Sequence, residues 1–150
     1  LREIDALAAK FQIVRIDGLD YRRRDIEGHT VALTSEELDA QLAASSGVVT
    51  VDDFDSLLGT LSKVHPSRYV RLVEGIDTVG IRNAHVFANQ TDALRFVAFV
   101  DRLYDAQVRL LASGTPLDEV FPTEMLAGGY RKKYLRAVSR LIALTTGTGL

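Results

Sequence analysis

At 150 residues, with 47% hydrophobic and 25% charged side chains and a formal net charge of -2, the chain has the composition of an ordinary soluble globular protein. Such a length buries roughly 70% of the surface exposed by the unfolded chain, so a real core is expected, and the near-neutral charge confines any basic site to a local patch rather than a general nucleic-acid surface. No window approaches the ~20 apolar residues of a membrane span, and the lack of cysteine excludes a disulfide framework, thiolate chemistry and cysteine-ligated zinc.

Leu1, Ile4, Leu7 and Ala8 fall at helical spacing, and Phe11 to Ile16 (FQIVRI) is a β-branched, strand-like run closed by the turn Asp17-Gly18. The acids in LREIDALAAK occupy the place of a signal peptide's basic and apolar regions, so a cytoplasmic location is expected. A helical pattern already running at a first residue that is not Met reads as a piece of a longer protein.

After the polar segment 22–27, Thr30 to Leu33 predicts a short strand, Ser35 to Ala44 a helix capped by Thr34 or Ser35, and Gly47 to Val51 another strand. Phe54 to Val64 and Ser67 to Ile76 predict two helices divided at Pro66, and Thr78 to Ile81 a strand. The alternation points to an α/β fold, with a mixed or mostly parallel sheet and flanking helices.

Thr91 and Asp92 are suitable caps for a helix running to about Ala106. Its apolar side is broad, with Phe96, Val97, Phe99, Val100, Leu103 and Tyr104. Burying five or six such side chains at ~1.5 to 3 kcal/mol each gives a gross gain on the order of 10 kcal/mol before entropy is subtracted. Asp101 lies on the flank of that side, beside a small or polar stripe of Arg95, Ala98, Arg102 and Asp105. A charge so placed needs a partner, and it either fixes packing through an arginine or a backbone amide or has a functional role.

Val108 to Ala112 (VRLLA) has the apolar character of a strand covered on both faces and ends at Ser113-Gly114-Thr115-Pro116. Ligands bind at the carboxyl edge of open parallel sheets, which makes Ser113 a possible polar contact. Thr115, Pro116 and Asp118 also form a good helix start, with a hydroxyl cap, a proline at the first position and an acid in the first turn. The final helix, Tyr130 to about Leu144, turns Tyr134, Leu135, Val138, Leu141 and Ile142 inward and Lys133, Arg136 and Arg140 outward. Arg131 and Lys132 crowd its first turn, where the helix dipole disfavours cations by roughly 0.3 to 1 kcal/mol each. An anion or an acidic partner would explain that basic stripe, and a solvated face is the simpler alternative.

Two patterns have local explanations. VVTVDD at 48–53 has the apolar-run-then-acids form of a magnesium-site strand, but without a phosphate loop that form is common at strand-to-helix junctions, and Asp52 or Asp53 reads instead as the cap of the helix beginning at Phe54. Gly147-Thr148-Gly149 is no phosphate cradle, and G-x-x-x-x-G-K-[ST] occurs nowhere in the chain. His29, His65 and His85 lack the spacing of metal ligands, no nucleophile elbow occurs, and neither Asp101 nor Asp52 has the paired group of a general base.

Several motifs in order carry a family resemblance: Asp20-Tyr21-Arg22, Arg95-Phe96 with Asp101 and Leu103-Tyr104, the strand from Val108 to Ser113, and Arg136 with Ser139-Arg140-Leu141. In these the chain resembles the C-terminal part of ZapE-type cell-division ATPases, a branch of the AAA+ P-loop family. The segment 28–47 matches no recognised part of the pattern, and 81–90 departs from an arginine-rich approach to the helix. The resemblance implies an ATP-binding, ATP-hydrolysing protein of bacterial cell division, with relatives in mitochondrial protein quality control. It implies ATP and Mg as cofactors of the full-length protein, division-ring proteins as partners and a homo-oligomeric state. The family-motif residues would be Asp20, Tyr21, Arg22, Arg95, Asp101, Ser113, Arg136 and Arg140, and the partner or anion contacts Lys133, Arg136 and Arg140. The phosphate loop, the magnesium-binding acids and the arginine finger would lie upstream of Leu1, leaving this segment without catalytic residues, metal or cofactor of its own and inactive alone. From a different class, the alternative is a standalone interaction module that docks acidic protein through its basic helix face and ignores nucleotide.

Overall fold

A computed structural model describes residues 28–147. The expected helix at 1–10, the strand at 11–16 and the Asp20-Tyr21-Arg22 motif lie outside the described residues. Among those described, three strands form one sheet in the order β1-β2-β3, all parallel: β1 is Val49–Asp53, β2 Thr78–Ala84 and β3 Arg109–Gly114. This is the α/β architecture with flanking helices that the alternation predicts.

Six α-helices surround the described sheet: α1 Ser35–Ala44, α2 Phe54–Lys63, α3 Tyr69–Val73, α4 Gln90–Ala106, α5 Thr123–Leu126 and α6 Arg131–Thr146. Two short 3-10 turns, Pro66–Arg68 and Leu117–Glu119, join α2 to α3 and β3 to α5. Register follows burial. Val51, Gly80 and Leu111 are aligned across the sheet, as are Asp52, Ile81 and Ala112 one residue on, and successive residues of a strand face opposite ways. The larger core lies on the face of Val79, Ile81, Leu110 and Ala112, against Phe54 and Leu61 of α2, Phe96, Val100 and Leu103 of α4, and Tyr134 and Leu141 of α6. The opposite face packs Leu111 on Leu33, Leu38 and Leu42. Gly80 permits that closeness, because a Cβ there would stand 2.9 Å from Leu42 Cδ2.

Local signals set several boundaries. Thr34 caps α1 in a reciprocal box, its Oγ1 accepting from the Glu37 amide while its own amide donates to the Glu37 carboxylate. Asp53 caps α2 by accepting from the Asp55 amide, and of Asp52 and Asp53 it is Asp53 that does so. In α4, Phe96, Val97, Phe99, Val100 and Leu103 are buried as its pattern requires.

Other expectations need correction. The strand expected at 30–33 is reduced to one parallel bridge, Leu33 to Ser113, because neighbouring backbone donors are spent on side chains: Thr30 N–H on Asp118 and Val31 N–H on Thr145 Oγ1. The helix expected at 67–76 survives as a 3-10 turn and the five residues of α3; the chain turns extended at Glu74, and the Ile76 amide closes a turn onto the Val73 carbonyl. The cap of α4 is Asn89, whose side chain accepts from the Asp92 amide at 2.8 Å, so Thr91 and Asp92 lie within the helix. Thr115 is no cap, since its amide donates to the Ala84 carbonyl and Pro116 precedes a 3-10 turn without side-chain capping. The first and third strands begin later and end later than expected, which brings Asp52, Asp53 and Ser113 into the sheet. No helix among the described residues is long and apolar enough to cross a membrane.

Candidate functional site

Parallel strands bring their carboxyl ends to one edge, and here those ends are polar: Asp52 and Asp53 on β1, Arg82 and Asn83 on β2, Ser113 on β3. Asn83 joins the three strands. Its side-chain amide donates to Asp53 Oδ1 at 3.0 Å, and its backbone amide donates to Ser113 Oγ at 3.1 Å. The backbone of Asn83 is left-handed, with φ of 57°, a region asparagine tolerates better than most residues. It sits where the pairing of β2 with β3 shifts register between Ile81 and Ala84. Gly114 allows the two strands to close again: its φ is 98°, and a Cβ there would meet the Ala84 nitrogen at 2.5 Å.

On the α1 side of this edge, Arg82 Nη2 lies 2.5 Å from Asp39 Oδ1. Toward α2, His85 Nε2 lies 2.6 Å from Asp55 Oδ1 and Nδ1 lies 3.0 Å from the Val86 carbonyl oxygen. Both neighbours are acceptors, so the geometry favours an imidazolium donating from both nitrogens. The hydrogen bond to the Val86 carbonyl and that to Asp55 hold the His85 pKa above the usual histidine value, against a smaller opposing effect of burial. The imidazole edge also meets the Phe54 ring, with centroids 4.8 Å apart.

This edge offers carboxylates, an amide and a guanidinium already engaged with one another, an arrangement suited to anchoring polar groups. Ser113 is buried and its hydroxyl accepts from the Asn83 amide. No group of three or more His, Cys, Asp or Glu among the described residues is placed to hold a metal ion.

Among the described residues, the family-motif residues fall at the sheet edge, in the α4–α6 seam and, for Arg95, near the start of α4. Ser113 lies at the sheet edge. Asp101, Arg136 and Arg140 meet in the seam between α4 and α6, where Arg140 Nη1 approaches Asp101 Oδ1 at 2.5 Å, Arg136 Nη2 lies 3.7 Å from Oδ2, and the Arg140 guanidinium lies 4.8 Å from the Tyr104 ring centroid. Of the two roles open to Asp101, the contacts are those of an arginine partner. Two of the three stripe cations thus turn back onto the chain, while Lys133 Nζ lies 5.9 Å from the Tyr130 ring centroid. Arg95 is 3.7 Å from Asp92 on the same helix.

Sequence reasoning missed Asn83, Arg82 with Asp39, and His85 with Asp55. Only Asn83 left a local trace, as an isolated asparagine at the end of an apolar run. Asp118, expected only as a first-turn acid, is a nearly buried carboxylate that accepts from Thr30 Oγ1 at 2.5 Å and from His29 Nδ1 at 2.9 Å, contacts the sequence did not foretell.

No solved structure matches the chain. The family model of the AFG1-like ATPases matches residues 30–150, a span that takes in all three strands, the polar sheet edge and the α4–α6 seam. The chain belongs to the AFG1-like ATPase family.

Proposed function

We propose that this chain is the C-terminal region of a ZapE-type protein that binds and hydrolyses ATP with Mg in bacterial cell division. The segment completes the ATPase fold and contacts neighbouring subunits or division-ring proteins; the phosphate loop, magnesium-binding acids and arginine finger are supplied from upstream of Leu1. One observation carries the reading: the chain matches an ATPase family over 121 residues (30–150) yet contains no G-x-x-x-x-G-K-[ST] loop, so hydrolysis needs another segment. The engaged side chains of the sheet edge agree with a supporting role. The protein works in the cytoplasm as a homo-oligomer.

The test compares phosphate release from ATP by the pure 150-residue chain and by the same chain joined to its upstream P-loop segment. Turnover by the joined protein alone is the expected result. Steady release by the 150-residue chain, or none from a folded protein with an intact phosphate loop, refutes the assignment. A fluorescent fusion of the full-length protein should gather at the division site, and uniform fluorescence through a division cycle would remove the cell-division role.

A further inference from the structure

The first turn of α6 combines three features that no contact among the described residues satisfies. Arg131, Lys132 and Lys133 open the helix, with no acid in the first turn and no side-chain cap from Tyr130. The positive end of the helix dipole makes this turn electropositive; the Arg131 amide donates to the Gly128 carbonyl and the Lys133 and Tyr134 amides to the Tyr130 carbonyl, which leaves the Lys132 amide without a backbone acceptor among the described residues. Neither Arg131 nor Lys132 has an acidic partner among the described residues. Lys133 has only the Tyr130 ring face.

Two buried side-chain atoms here lack any hydrogen-bond partner: Arg131 Nε and the hydroxyl oxygen of Tyr134. Tyr134 is fully buried, and native proteins rarely leave such a hydroxyl unpaired. The two residues are three apart and therefore on one side of the helix. Helical side chains lean toward the amino end, which aims the Tyr134 ring back over the first turn. Its face is fixed by Phe121, with centroids 4.9 Å apart, and Phe121 in turn stacks on Phe87 just beyond β2. The link from β3 to α6 stays at the carboxyl end of the sheet, since the Thr115 amide donates to the Ala84 carbonyl and the Phe87 amide to the Val120 carbonyl.

The unmet groups are donors or cations: a guanidinium N–H, a phenol O–H, the Lys132 amide and two ammonium groups. We infer that the first turn of α6 is a binding site for a phosphoryl group, held by Arg131 Nε, the Tyr134 hydroxyl and the Lys132 amide, with the Lys132 and Lys133 ammonium groups at its rim. Phosphate suits the site better than a carboxylate because its oxygens can meet several donors arriving from different directions, whereas a carboxylate presents two oxygens in one plane.

The test uses the whole 150-residue chain in potassium phosphate and in potassium chloride at equal ionic strength. Thermal unfolding and amide chemical shifts are read against phosphate concentration, with ADP in a second arm to distinguish a free phosphate from one carried on a nucleotide. Saturable stabilisation in either arm, with shifts centred on the amides of Arg131, Lys132 and Lys133, is the expected result. Arg131→Gln should weaken binding roughly tenfold or more. Tyr134→Phe keeps the ring and removes only the orphan hydroxyl, so it should unfold no earlier than the wild type in chloride while losing several-fold in affinity. Equal stability of the wild type in phosphate, ADP and chloride overturns the proposal, as does wild-type affinity in both variants.

Discussion

Neutralising Asp101 should loosen the seam between α4 and α6. The Asp101 side chain is 19% exposed and that of Arg140 27%, while Arg136, the more distant partner, is 51% exposed. Exposed ion pairs contribute about 0–1 kcal/mol, and stranding one member of a fully buried pair costs about 3–5 kcal/mol. The Asp101–Arg140 pair lies between these limits, so Asp101→Asn should cost roughly 1–2 kcal/mol. For a chain of this size that corresponds to a fall in Tm of about 3–6 °C. Arg140→Met keeps an apolar stem over Tyr104 and should cost a similar amount. In the double variant neither charge is stranded, so its loss should fall short of the sum by about 1 kcal/mol or more. Urea unfolding of the four proteins measures this directly, provided the slope with denaturant is shared. Additive losses to within about 0.3 kcal/mol, or single variants as stable as the wild type, would show that the seam is held by its apolar contacts alone.

Two glycines should respond oppositely to alanine. Gly114→Ala, at φ 98° and against the Ala84 backbone, should cost on the order of 2–4 kcal/mol, whereas Gly59→Ala within α2, where an added Cβ meets nothing within 4 Å, should stabilise by roughly 0.5–1 kcal/mol; urea unfolding reads both. The His85 contacts predict a pH dependence with a defined sign. Because the Val86 carbonyl and Asp55 raise the folded-state pKa of His85 above the unfolded value of about 6.5, their stabilisation is fully present below that pH and fades as pH rises through the folded value. The difference in Tm between wild type and His85→Gln should therefore be larger near pH 6 than near about pH 9, and an imidazole titration by NMR should place the folded midpoint above the unfolded one.

How much was legible in the sequence depended on how far away each residue's partner lies. The cap of α1 was readable because Thr34 and Glu37 are three residues apart, and the inward side of α4 because its pattern repeats within one helix. Asn83 and Ser113 are separated by 30 residues and Thr30 and Asp118 by 88, so neither contact has a local signature. The first exists only once the parallel register sets Asp53 beside Arg82 and Ala84 beside Gly114. The same distinction divides the basic stripe. Helical spacing turns Lys133, Arg136 and Arg140 outward alike, yet Asp101, on another helix, takes up the latter two. Cations late in α6 therefore have a reason to exist in the packing of this chain. Those of the first turn have none among the described residues, and their position beside two buried, unpaired donors gives that turn, rather than the whole stripe, the chemistry of a binding site.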